Sequence, residues 1–264
     1  MSRTRALIAK EWVDLRRNAG ALIPAAIITL VSVLLPFAIV VGIPAFTGDA
    51  LSDDATLERV SAVADPRGLM SSDSRIELFL FQQFLVLLLM TPITGAMSLA
   101  SHAIIGEKQT RTLEPLLATP LTTPELLLAK MLGALLPTLG MSFLGVGLYV
   151  LGIALLGAPG VLAAMATARS AVLVLLVGPA VALVALQSAL LISARVNDPR
   201  TAQQFGVLFL VPLAILLIAQ FGGSLWLSAS MLAAIALGLL IAWLLLLLLS
   251  AAVFERETIL TRWR

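Results

Sequence analysis

The sequence has no cysteine and a single histidine, His102. Without cysteine there is no disulfide framework and no thiolate metal site, and one histidine cannot complete a zinc site of the usual kind. Lysine is nearly as scarce: Lys10, Lys108 and Lys130 are the whole complement, and none follows a glycine. The phosphate-cradling loop GxxxxGK[ST] is therefore missing, which excludes ATP hydrolysis by this chain. Charge as a whole is thin. Only 12% of the 264 residues are Asp, Glu, Lys or Arg, against roughly 25% in a soluble domain. What fills the space is apolar, at 60% of all residues. Such a chain lives in lipid, and its composition predicts an all-α integral membrane protein.

Long stretches with no charge locate the crossings. They run 18–48, 78–106, 131–168, 170–194 and 201–254. A helix needs ~20 residues to cross the hydrocarbon core. The last stretch is long enough for two helices, turning at Gly222-Gly223-Ser224, and the third holds one helix followed by Gly157-Ala158-Pro159-Gly160. Six spans are predicted, near 21–43, 78–103, 131–156, 171–193, 203–221 and 227–253. With six, both termini share a side. That side carries thirteen Lys and Arg, among them Arg3, Lys10, Lys108, Lys130, Arg195 and Arg256, while Arg59, Arg67, Arg75 and Arg169 lie on the other. The positive-inside rule then places both termini in the cytoplasm. The apolar run of the first span is about twice the 7–15 residues of a signal peptide's core, so it reads as a retained crossing.

Three segments outside the spans carry pattern. Residues 1–19 suggest a helix lying on the inner surface: Ile8, Trp12 and Leu15 share a face, flanked by Arg5, Lys10, Asp14 and Arg17. Trp12 suits the headgroup boundary, and the cations suit anionic lipid. The acidic stretch from Pro44 to Arg75 reads as a solvated connector, although Ser52-Asp53-Asp54 could start a short helix carrying Leu57, Val60 and Val63. The segment between spans two and three, 104–125, is different. It is dense in charge, Thr and Pro, yet it sets Leu113, Leu116 and Leu117 on one helical face between Gly106 and Pro120. Thr123-Pro124-Glu125 is a helix restart, with Thr as N-cap and Pro at the first position. An inter-helix turn needs only about 2–8 residues. A longer one that exposes leucines beside Glu107, Lys108, Arg111 and Glu114 on the cytoplasmic side is a partner surface.

Chemistry inside the spans is sparse. The polar intramembrane residues are neutral, notably Gln82, Gln83, Gln187 and Gln220. They line a path or bond one helix to another. Proton and sodium relays place ionisable groups within the bilayer, and the predicted span cores hold none, so ion coupling has little support. An intramembrane serine protease is a remote alternative. Gly140-Met141-Ser142 gives a weak echo of one, but His102 lies at the cytoplasmic end of span two and Ser142 deep in span three, whereas nucleophile and base must meet at ~3 Å.

The stretch Gly106 to Lys130 resembles the permeases of type 2 ATP-binding-cassette exporters. Those commonly show a GEK…TLE.LL.TP…ELL..K sequence after the second span. The matching residues are Gly106, Glu107, Lys108, Thr112, Leu113, Glu114, Leu116, Leu117, Thr119, Pro120, Glu125, Leu126, Leu127 and Lys130; Gln109 and Arg111 depart. The six-span plan and the surface helix before span one are similar to the family's outline, in which that helix is an "elbow". The resemblance implies one transmembrane domain over residues 1–264, with segment 104–125 as a cytoplasmic coupling helix. It further implies a separate ATPase subunit that binds ATP and Mg, so this chain itself needs no cofactor. A second permease subunit, identical or homologous, would share the pathway in the inner or plasma membrane of a prokaryote. The expected coupling residues are Glu107, Lys108, Arg111, Thr112, Leu113, Glu114, Leu116 and Leu117. The expected partners are thus the ATPase, the second permease and the lipid bilayer, with no nucleic acid. A non-transporting membrane anchor or sensor driven by a similar ATPase is the alternative.

Overall fold

In the computed structural model the described elements are helical throughout. The structure describes residues 19–48, 50–65, 67–109, 123–196, 198–223 and 226–253. Residues 1–18 of the expected surface helix, Trp12 among them, lie outside the described residues, as do 110–122 of the coupling segment.

Six helices are long and apolar enough to cross a membrane: Leu22–Thr47, Ser72–Ala103, Lys130–Leu156, Ala168–Ser193, Arg200–Phe221 and Ala229–Ser250. The expected all-α, six-span fold is therefore the one observed. The second begins earlier than its charge-free run, because Ser71 caps it by accepting a hydrogen bond from the Ser74 N–H. Asp73, Arg75 and Glu77 thus ride on its first turns.

Packing divides the spans into a hub and its surround. Within its most apolar window the second span is 83% buried by protein, the sixth only 11%. The hub touches spans one, three, four and five, while the sixth leans on the fourth. Sequence explains the difference. Span two mixes apolar residues with Gln82, Gln83, Ser98 and Ser101, all buried, and such polar groups need protein partners in lipid. Span six is leucine-rich on every face, and lipid solvates it as well as protein would.

Prolines break the regularity of the hub and two neighbours. The second span is two helices, Ser72–Leu87 and Met90–Gln109. Pro92 has no N–H, and its ring crowds the carbonyl four residues back, that of Leu88, where the helix interrupts. Spans one and four each contain a π-turn, Ala38–Gly42 and Leu173–Val177. In both, the residue before a proline closes the wide turn. Ile43 N–H donates to Ala38 O ahead of Pro44, and Gly178 N–H donates to Leu173 O ahead of Pro179. One extra residue per turn lets the proline enter the helix without losing the whole ladder.

Close helix contact depends on two glycines. Gly145 and Gly152 sit two turns apart on span three, facing span one. A Cβ at Gly145 would lie 2.9 Å from Thr29 Cγ2, and one at Gly152 would enter the Phe37 ring. That ring is fixed in turn by Phe81 and Tyr149, at centroid distances of 5.3 and 5.6 Å. The Tyr149 hydroxyl donates to Phe81 O at 2.8 Å. Gly152→Ala should therefore overpack the contact at a cost of about 1–3 kcal/mol, seen as a lower Tm in detergent. Gly147→Ala, which meets open space, should be neutral or stabilising by up to about 1 kcal/mol. Equal melting of the two variants would remove the steric argument.

The connection between spans one and two is more ordered than the solvated connector expected. A helix, Ala55–Ser61, starts at Asp54, whose carboxylate accepts from Thr56 N–H at 2.8 Å and Leu57 N–H at 3.3 Å. Those two backbone donors hold the Asp54 carboxyl below the usual carboxylate value. The cap is therefore complete above that value and is lost as pH falls through the depressed one. Leu57 and Val60 pack onto the core. Val60 rests over Gly223, which adopts φ 67° and where a Cβ would lie 2.9 Å from Val60 Cγ1.

Candidate functional site

At the end of the bundle carrying the charged segment, two helices project past the apolar core. The second helix of span two continues through Glu107 and Lys108 to Gln109. The next begins at Thr123, where the sequence places its N-cap, and runs unbroken to Leu156. A charge-assisted bond joins them: Lys130 Nζ donates to Ala103 O at 2.9 Å, and the lysine is buried. Thr123 lies seven residues from Lys130 along the chain, or ~10 Å at 1.5 Å per residue. Segment 110–122 thus connects two short arms clamped at their base. Arg111, Thr112, Leu113, Glu114, Leu116 and Leu117 lie outside the described residues.

The link between spans four and five abuts the same end. Asp198 caps the helix Pro199–Gln204, accepting from the N–H and the hydroxyl of Thr201, each at 3.0 Å. Those donors, with Arg200 nearby, hold its carboxyl below the usual value. Gln203 Nε2 then donates to Ser98 Oγ of span two at 3.3 Å. The hub helix is therefore tied near its base both to span three and to the start of span five.

The opposite end is organised by Arg169, which the sequence placed only as one of four cations on that side. Its guanidinium donates three ways: Nε to Leu227 O at 3.0 Å, Nη1 to Gln82 Oε1 at 3.3 Å and Nη2 to Gln220 Oε1 at 3.1 Å. It also stacks over Trp226, 4.1 Å from the ring centroid. Phe79 stacks with that indole, its ring centroid 6.1 Å away and nearly parallel. Spans two, four and five and the lead into span six thus meet on one side chain. No carboxylate pairs with it among the described residues. Nearby, Glu77 Oε1 accepts from Ala158 N–H at 2.9 Å, fastening the turn after span three to the hub.

The four intramembrane glutamines consequently differ in their surroundings. Gln82 and Gln220 accept from Arg169, and Gln187 donates to Ser250 of span six. Gln83 is fully buried, and neither amide atom finds a partner among the described residues. Arg169 was missed as a centre because its acceptors lie 51 to 87 residues away in sequence. The available signal was a lone arginine between two charge-free runs, with neutral carboxamides inside other spans.

No curated protein matches the chain. A family model described as ABC-2 type transporter, the membrane component, matches residues 2–219. That match takes in the first four spans, the segment between spans two and three, and nearly all of span five. With six apolar helices, five of them arranged around the buried second span, the chain belongs to the ABC-2 type transporter family and is the membrane-spanning permease component of an ABC transporter.

Proposed function

We propose that this permease is an exporter subunit that forms its pathway as a dimer and is driven by a separate ATPase bound at segment 104–125. The observation that carries the reading is the pair of helical arms ending at Gln109 and starting at Thr123, clamped by Lys130 on Ala103 O. Closure of two ATPase subunits on ATP must reach the spans through something stiff. A short leucine-faced helix between two clamped arms is a lever of that kind. Leu113, Leu116 and Leu117 fill an apolar groove on the ATPase. Glu107, Lys108, Arg111, Thr112 and Glu114 set the orientation. ATP and Mg belong to that partner. Gln83 is the glutamine best suited to line the pathway, since its amide has no hydrogen-bond partner among the described residues.

Both termini and the coupling segment face the cytoplasm in this proposal, with the surface helix around Trp12 on the inner leaflet. The cysteine-free chain makes this direct to check. Ser71→Cys should react with an impermeant thiol reagent on intact cells and Thr201→Cys should not; the reverse pattern would invert the topology. For the function itself, the chain is purified alone and together with its ATPase. Alone it should bind no ATP. Reconstituted together, the two should give ATP-dependent flux in vesicles. Stable capture of the ATPase with no flux for any amphiphile, peptide or polysaccharide class would favour the anchor or sensor instead.

A further inference from the structure

A cavity of about 490 Å³ lies among spans two, four, five and six. Every side chain lining it is apolar, including Leu89, Leu173, Val177, Leu213, Leu216 and Leu232. Most of these walls are buried, while the rim residues Leu208 and Ile235 are exposed at the bundle surface. The cavity is long rather than round. On span four its lining extends from Leu173 to Val184, eleven residues or ~16 Å, half of a ~30 Å hydrocarbon core. With no polar side chain lining it among the described residues, it offers almost nothing that could orient a molecule by hydrogen bonding. It suits a hydrocarbon chain.

One end of this cavity is marked by charge. Leu173 follows Arg169 by one helical turn, and Leu216 precedes Gln220 by one turn. Leu232 follows Leu227, whose carbonyl Arg169 holds, by five residues. The arginine cluster therefore sits directly above the cavity on the spans that wall it. A guanidinium has five N–H donors. Three go to neutral acceptors here, leaving two and the whole positive charge without an anion among the described residues. The π-turn Leu173–Val177 supplies two lining residues, and Pro212 of span five supplies another.

We propose that this chain holds one anionic phospholipid from the leaflet on the Arg169 side, with an acyl chain in the cavity and the phosphate against Arg169. The cavity spans one leaflet, and the cation lies where a headgroup would be. A neutral amphiphile would leave the charge uncompensated, and a free anion would leave the cavity empty.

The test uses the full chain in nanodiscs of equimolar phosphatidylglycerol and phosphatidylcholine with matched acyl chains. After extraction into mild detergent, native mass spectrometry counts the retained lipid. One lipid per chain is expected, with phosphatidylglycerol favoured about fivefold, the contribution of one arginine near an anionic headgroup. Val177→Trp and Leu213→Trp, on different spans, fill the cavity and should lower retention of both lipids about tenfold, since displacing even two methylenes has that effect. Arg169→Lys should keep the headgroup preference, and Arg169→Gln should erase it. Equal retention of both lipids by the wild-type chain, or Trp variants that retain as much lipid as wild type, would overturn the proposal. No ATPase takes part, so the outcome is independent of the transport reading.

Discussion

Replacing both Leu113 and Leu117 by Asp should uncouple the permease from its ATPase while leaving it in the membrane. The two leucines lie four residues apart on the face that the amphipathic pattern points at a partner. A carboxylate forced into an apolar groove, or an anchoring side chain removed from the centre of an interface, costs ~2 kcal/mol or more, which is over tenfold in affinity. Two such changes should remove co-purification altogether, and ATP-stimulated flux with it. Insertion should be normal, because no residue of a span is altered. Arg59 and Arg67, on the opposite side of the bundle, provide the control: changing them should leave ATPase capture intact. Full coupling in the double Asp variant would move the docking site elsewhere, with Arg195 to Arg200 next in line.

Arg169→Leu should lower the melting temperature more than any other single change on its side of the bundle. Three acceptors lose their donor at once: Gln82 Oε1, Gln220 Oε1 and Leu227 O. A buried acceptor left unmet costs about 1–3 kcal/mol, although hydrogen bonds between membrane helices average nearer ~0.6 kcal/mol. A total of about 3 kcal/mol lies between those limits and corresponds to a Tm lower by roughly 6–12 °C for a chain of this size. Arg169→Lys should recover part of the loss, since an ammonium is a point charge without the planar fork that meets several carbonyls together. Adding Gln82→Leu to Arg169→Leu should recover about a third of the loss, because removing both partners of one of the three buried bonds is gentler than removing one. Arg59→Leu, at an exposed position, should change nothing. An unaltered Tm for Arg169→Leu would show that the cluster is not a tie between spans.

The spans were plain in the sequence because excluding charge from ~20 successive residues is a strong constraint with few other causes. The restart was legible to within one residue: the sequence set Thr123 as the cap and Pro124 as the first helical position, and the helix begins at Thr123. Helix irregularities were not. A π-turn is decided by how a proline's neighbours share their carbonyls, and Pro44 and Pro179 look like any other prolines inside an apolar run. The helix at Ala55–Ser61 was half visible. Asp54 announced a cap, but the burial that holds the helix, Val60 against Gly223, joins residues from opposite ends of the chain. Lys130 is a similar case. Sequence counted it as one of the basic residues flanking a span; its bond to Ala103 O depends on how two helices cross. Arg169 and its carboxamide acceptors are the extreme example, since nothing local relates a cation at the head of span four to Gln82 or Gln220.

The arginine cluster also implies an order of events at the ribosome. Chains emerge N-terminus first, so Gln82 precedes Arg169 into the bilayer, whereas Gln220 and Leu227 follow it by 51 and 58 residues. Until then the guanidinium has a single acceptor of its final three, and headgroups and water must meet the rest. Span four must therefore wait near the headgroups, or within the insertion machinery, until the last hairpin arrives. The final two spans complete the solvation of the fourth, and a nascent chain truncated before Gln220 should be held at the translocon rather than released into lipid.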